Sequence, residues 1–363
     1  MKSLYDGYRK ILTGGKRIFF AGANTAEGFA GDYAEIADEK KLERIYIIKG
    51  GPGTGKSTII RKIAKSVETR GIKVEYYLCG SDPDSLDCAV FDGRVAILDG
   101  TAPHTLDMMY PGASSKIVDV SKFWNDEYLE RQKSEIIRHS AEKSAHYASA
   151  YRYLKATEAV DTELYSLSES IVNREKLMGY VNRFIKKLGK NASPAKGNII
   201  KRHTHALTMK GSVYLPTLKE KADIVFTLSD VLGSAAIAMK LFEEKLTDAG
   251  FSIILSPLPA TGRAAGIFIK DHGIAITAGE REEGERIINM SRFISDDIPQ
   301  GVRGSIKLAI KCGESCIEEA LSNLSAAAKH HFALEDIYKK SVYFESLGDY
   351  TTLLCDEIIK RLL

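Results

Sequence analysis

The chain has 363 residues, 44% of them hydrophobic and 27% charged, enough to bury substantial cores and long enough for two domains of roughly 100–200 residues each. Lys and Arg number 51 against 48 Asp and Glu, a formal charge of +3, so the overall balance does not indicate nucleic-acid binding. Five scattered cysteines argue against a disulfide framework, and no stretch reaches the roughly 18 consecutive apolar residues of a membrane span, so a cytoplasmic protein without membrane contact is expected.

In chain order, the opening segment MKSLYDGYRKILTGGKRIFF is broken by charges and lacks the apolar core of a signal peptide. An apolar strand is predicted at 45–49. It runs directly into Gly50-Gly51-Pro52-Gly53-Thr54-Gly55-Lys56-Ser57, which satisfies G-x-x-x-x-G-K-[ST] in full, and then into a helix. That strand-to-helix context is what a phosphate-binding P-loop requires. Glycines let the backbone approach phosphate, so the N–H groups around Gly51, Gly53, Thr54 and Gly55 form an anion nest at a helix N-terminus. Lys56 is expected at the β- and γ-phosphates, Ser57 as a Mg²⁺ ligand and Thr58 at the α-phosphate. No N/TKxD-type guanine reader is evident, so ATP is the favoured nucleotide.

Further strands are predicted at 73–79, 94–99 and 116–120, alternating with an amphipathic helix as in a parallel sheet with right-handed crossovers. The strand Arg94–Asp99 ends in a carboxylate suited to ordering the Mg²⁺ shell, with capping of the following turn as the minor alternative for Asp99. Gly100 stands where a second acidic residue would sit, so a base must come from elsewhere or hydrolysis is slow. Asp84, in the loop Ser81–Asp87, and His104, in the segment Thr101–Ala113, are the candidates; Asp82, Asp87, Asp107 and Tyr110 accompany them. For each acidic residue a turn-forming role competes with a catalytic one.

Beyond Phe123 apolar residues recur at helical spacing (Ile136, Ile137, Tyr147, Tyr151, Leu154), which predicts a helical hairpin or small bundle packed through these side chains. GKNASPAKGN (189–198) suits a linker, and a domain boundary is placed near Ser193. The second half then repeats the first: 45–78 has a counterpart in 224–256, VAILDG (95–100) in IAITAG (274–279), IVDVSKF (117–123) in IINMSRF (287–293), and the helical stretch 163–188 in 336–363. The expected fold is therefore α/β, a tandem duplication of a parallel sheet, with domains 1–193 and 194–363 each ending in helices.

The second copy acts as an internal control. Lys56 and Ser57 fall on Ser234 and Ala235, or on Ala235 and Ala236, while Asp99 falls on Ala278. Phe251–Lys270 contains no acidic residue, and nine residues are missing where Thr101–Ala113 stood. Joint loss suggests that the acidic loop and the His104 segment work with the P-loop. On the helix near 312–316, Cys312 and Cys316 lie one turn apart and read as ordinary helix packing rather than metal ligands.

By GGPGTGKS and AILDG the chain resembles the P-loop NTPase superfamily. By FFAGANTAEGF (19–29), IKGGPGTGKST (48–58), GSDPDSLD (80–87) and ILDGTAPHTLDMMYPGA (97–113) it is similar, over essentially its whole length, to a bacterial family of tandem P-loop ATPase-like proteins of unassigned cellular role. Members often keep a recognisable P-loop in both halves, from which this second half departs. The resemblance implies nucleotide binding and ATPase activity at one site. A nucleotide or small-metabolite kinase is the alternative, against which no Arg-rich lid is seen; a nucleotide-gated scaffold holding a protein or nucleic-acid partner on the helical stretches near 125–188 and 300–363 is a third. Arg263 is a candidate arginine finger reaching across from the second half.

Overall fold

The computed structural model describes residues 7–102, 105–189 and 195–363. The first half runs β1 (Arg9–Lys10), β2 (Arg17–Phe20), the hairpin β3 (Gly22–Thr25) and β4 (Gly28–Gly31), α1 (Tyr33–Ile36), β5 (Arg44–Lys49), α2 (Lys56–Glu68), β6 (Val74–Leu78), β7 (Leu86–Phe91), β8 (Val95–Asp99) and β9 (Ser115–Asp119). It continues through α3 (Asp126–Arg131), α4 (Lys133–Ile171) and α5 (Arg174–Leu188). The second half runs β10 (Ile199–Lys201), β11 (His205–Thr208), β12 (Gly211–Tyr214), α6 (Thr217–Glu220), β13 (Ile224–Ser229), α7 (Ser234–Asp248), β14 (Ile253–Pro257), β15 (Ala264–Ile269), β16 (Ile274–Ala278), β17 (Arg286–Asn289), α8 (Gln300–Lys339) and α9 (Phe344–Leu362).

Twelve of these strands form two six-stranded sheets, ordered β2-β6-β7-β8-β5-β9 and β10-β14-β15-β16-β13-β17, while β1, β12 and β11 make a three-stranded sheet and β3 pairs with β4. The expected parallel sheet is corrected to a mixed one. In the first sheet β7 runs antiparallel to both β6 and β8, and β15 does the same between β14 and β16. The reason lies in the connection: β7 and β8 are joined by Asp92-Gly93-Arg94, far too short for a crossover, and Asp92 (φ 49°) and Gly93 (φ 68°) adopt the left-handed angles of a tight hairpin.

β5 has both faces covered. Tyr46 and Ile48 pack against Ile59, Ile60 and Ile63 of α2, while Ile45 and Ile47 share a cluster with Leu218, Phe268 and Ala275 from the second half. The strand reads as a continuous apolar run because neither side meets water.

Of the two expected arrangements, a hairpin or a small bundle, the helices do not form a hairpin within either half. Each long helix is continuous and pairs antiparallel with the other: Ala150 and Leu154 of α4 meet Ala320 and Leu324 of α8, and farther along α4 Leu164 meets Ile306 and Ile310. The terminal helices are then exchanged. Leu177 and Val181 of α5 are buried against the second sheet and α7, whereas Leu354, Ile358 and Ile359 of α9 are buried against the first sheet and α2. Short backbone contacts fix both breaks: Tyr343 N–H donates to Phe123 O (2.8 Å) and Asn173 N–H to Phe293 O (2.7 Å). The boundary near Ser193 lies outside the described residues. No helix among the described residues is long and apolar enough to cross a membrane.

Candidate functional site

The loop from Gly50 to Ser57 joins β5 to α2. Gly53 (φ 70°) and Gly55 (φ 88°) take left-handed angles, and Gly55 is the N-cap of α2. No side chain caps that helix, so the N–H groups of its first turn, at Lys56, Ser57 and Thr58, remain available to an anion. Thr54 is fully buried, its hydroxyl donating to Gly51 O at 2.8 Å.

The Lys56 side chain curls back over the loop. Its ammonium donates to Gly50 O (3.0 Å) and Gly51 O (2.5 Å) and lies 3.5 Å from Asp99 Oδ2. β5 and β8 are parallel neighbours, with Ile48 opposite Asp99, so sheet register alone brings Asp99 to the loop. Asp99 also accepts from Thr101 N–H (2.9 Å), the turn-capping bond anticipated for it. Both roles coexist, because one carboxylate oxygen serves the turn and the other faces Lys56.

Both flanking loops are tied to this one. Ser57 Oγ accepts from Leu86 N–H (2.8 Å), and the Thr101 hydroxyl donates to Gly50 O (3.0 Å). Asp84 is nevertheless directed elsewhere: its carboxylate, with that of Asp82, binds Lys210 at 2.6 and 2.7 Å. That ammonium holds the Asp84 carboxyl below the usual carboxylate range. Asp87 lies inside β7 and accepts from the Tyr33 hydroxyl at 2.8 Å, so it is a buried structural partner. Asp107 and Tyr110 are exposed. His104 lies outside the described residues.

Sequence reasoning missed Glu39, which accepts from the N–H groups of Met109 and Tyr110 and from the Ser114 hydroxyl (2.7, 2.9 and 2.5 Å) and so anchors the far end of the loop after Asp99. It also missed the cover. The last turns of α8 lie on the P-loop: a methyl group on Gly51 would come within 2.5 Å of the Tyr338 ring, and one on Gly53 within 2.6 Å of Glu335 O. Packing restricts both positions to small residues, and at Gly53 the left-handed φ of 70° adds a second requirement for glycine. Glu335 is bonded by His331 and Lys339, and the hydrogen bond from His331, then that from Lys339, hold its carboxyl down to about 2. From α4, the half-buried Lys143 faces the same region; burial first, then the Lys56 charge, push its ammonium below the ordinary lysine range.

The N-terminus of α7 is built differently. α7 starts at Ser234, directly after Gly233 (φ 80°), as α2 starts at Lys56 directly after Gly55 (φ 88°). With Leu228 opposite Ala278 as Ile48 is opposite Asp99, the loop is two residues shorter than its counterpart. Its N-terminus is occupied by protein, Asp230 Oδ1 accepting from Ala235 N–H at 2.8 Å. Asp230→Ala is expected to cost about 1 kcal/mol, read as a lower urea midpoint, because it removes a carboxylate from a helix N-terminus.

Arg263 lies at this second loop, bonded to Asp161 and stacked 4.0 Å from the Tyr165 ring. Lys143 marks the part of α4 that faces Lys56. Asp161 is eighteen residues farther along α4, about 27 Å at 1.5 Å per residue, so Arg263 is not poised over Lys56. The cavity beside it measures about 20 Å³, room for a single water. A larger groove of about 430 Å³ is lined by Lys10, Lys219, Glu282 and Glu285, which pair with one another in a charge network running from the surface to the buried Glu285. No protein-family model, curated protein or solved structure matches this chain.

Proposed function

We propose that the chain binds a nucleoside triphosphate, ATP favoured, with Mg²⁺ at Gly50–Ser57 and hydrolyses it slowly at this single site. The observation that carries the reading is the meeting of Lys56 and Asp99, 3.5 Å apart, inside a loop with two left-handed glycines and an uncapped helix N-terminus. Lys56 would exchange its carbonyl partners for β- and γ-phosphate oxygens. Ser57, whose hydroxyl keeps a lone pair beyond its bond from Leu86, and Asp99 would hold Mg²⁺, which supplies charge neutralisation. With Gly100 after Asp99 and Asp84 bound to Lys210, turnover is expected to be slow.

We further infer that the two halves are copies of one unit, supported by their identical strand order. In the second, a shorter loop and the Asp230 carboxylate stand where phosphate would bind.

A second reading, a nucleotide-gated scaffold, is favoured by the cover itself. Tyr338 and Glu335 pack on Gly51 and Gly53, so phosphate entry must shift the end of α8 and with it the α4–α8 pair. Binding and phosphate release with Mg-ATP, measured with and without added acceptors, test both. Lys56→Ala is expected to lower turnover by about 10²–10³-fold, the usual loss on removing a charge-stabilising donor, and Asp99→Ala to weaken the Mg²⁺ dependence. Tight binding without turnover selects the scaffold. Wild-type protein that fails to bind Mg-ATP, or Lys56→Ala that equals wild type, removes the proposal.

A further inference from the structure

We propose that Glu142, His146 and His330 form a binding site for a divalent transition metal of the zinc class, clamping α4 to α8. The inference stands apart from the nucleotide reading and uses none of its residues. One ligand atom from each of the three lies within 4.8 Å of the others, and His146 and His330 come from opposite helices of the antiparallel pair. His139, Glu142 and His146 recur at i, i+3 and i+7, so all three occupy one face of α4, the face turned to α8. His330 is contacted there from two directions: the His146 ring stacks on it at 5.8 Å between centroids, and His139 Nδ1 lies 3.0 Å from its Nδ1.

Two imidazoles and a carboxylate are the donor set that zinc takes in open, three-ligand sites, and imidazole favours zinc, cobalt and nickel over magnesium or calcium. At metal–nitrogen bonds of about 2.0–2.1 Å, tetrahedral ligands sit about 3.3 Å apart. Closing the cluster to that spacing requires rotation of the exposed Glu142 side chain and small turns of the two half-buried rings. The contact with His139 supplies orientation. With His330 Nδ1 engaged, its Nε2 is the atom left for the metal; Nδ1–H then donates to His139, whose Nε2 turns from Arg138 (3.0 Å) toward Glu135 (3.7 Å). The relay metal–His330–His139–Glu135 is the outer-sphere arrangement that fixes a ligand histidine's tautomer.

The test is a titration of untagged, chelator-stripped full-length protein with Co²⁺, followed by its visible d–d absorption, and then with Zn²⁺ as competitor. One tetrahedral-type Co²⁺ per chain, displaced by Zn²⁺, is expected. His146→Ala and His330→Ala should each weaken binding at least tenfold, and His139→Ala by about 10–100-fold as a positioning residue. His331→Ala, one residue away and paired with Glu335, should leave binding unchanged. Glu142→Gln changes only an exposed side chain and keeps the test available if a histidine variant fails to fold. Absence of saturable Co²⁺ binding, or binding that survives both His146→Ala and His330→Ala, overturns the site.

Discussion

Removing residues 344–363 is expected to unfold the first sheet, although the deleted helix follows the second in sequence. α9 buries Leu347, Leu354, Cys355, Ile358, Ile359 and Leu362 in the cluster built on β5 and α2. Tyr46 of β5 donates through its hydroxyl to Glu357 at 2.9 Å, and Lys116 of β9 pairs with the same carboxylate at 2.7 Å. At about 1.5–3 kcal/mol for each large buried apolar side chain, the loss is on the order of 10 kcal/mol, comparable with the whole stability of a domain. Ile358→Ala is the milder version and should cost about 2–5 kcal/mol. Hydrogen exchange locates the effect: amides of Arg44–Lys49 and Val95–Asp99 should lose protection before those of Ile224–Ser229. Loss confined to the second sheet would refute the exchange of helices.

Acid should destabilise the protein through His205. This residue of β11 is buried between the rings of Tyr8 (4.9 Å, edge-on) and Tyr214 (4.6 Å, stacked), with Nδ1 3.1 Å from the Thr204 hydroxyl. Burial, reinforced by the charges of His203 and Lys219, pushes its imidazole down to about 3. The unfolded chain binds a proton near pH 6.5 that the folded chain refuses until about pH 3. Stability from this group is thus complete above pH 6.5 and is lost as the pH falls between those values, by up to about 5 kcal/mol. His205→Phe keeps a ring between the two tyrosines, and Thr204 retains its bond to Ser256 (2.6 Å). Its melting temperature should fall less steeply than wild type from pH 6.5 to 4. Parallel profiles would exclude His205 as the cause.

The legible parts of the sequence were local ones. The Gly50–Ser57 loop and the strand ending at Asp99 are contiguous motifs, and parallel register alone joins them, so both could be placed without knowing the rest of the fold. β7 was hidden because its first residues, Leu86 and Asp87, read as the end of an acidic loop; the Asp92-Gly93 pair was the hairpin signal that could have exposed it. Asp84 looked catalytic by position, but its partner Lys210 comes from a turn 126 residues away. The same holds for the histidine cluster, whose His139 and His330 are 191 residues apart. Periodicity marks α4 and α8 as helices. It cannot tell which sheet a terminal helix covers, since an apolar face fits either.

The exchange of α5 and α9 also bears on how the chain folds during synthesis. The core around β5 stays open until residues near 344–362 arrive, about 300 residues after the P-loop strand, which is roughly 15–60 s at 5–20 residues per second. Through that interval the apolar face of α2, with Ile59, Ile60 and Ile63, lacks its partner and invites chaperone capture or pairing with the α9 of another chain. Domain-swapped dimers are the misfolding product this topology favours.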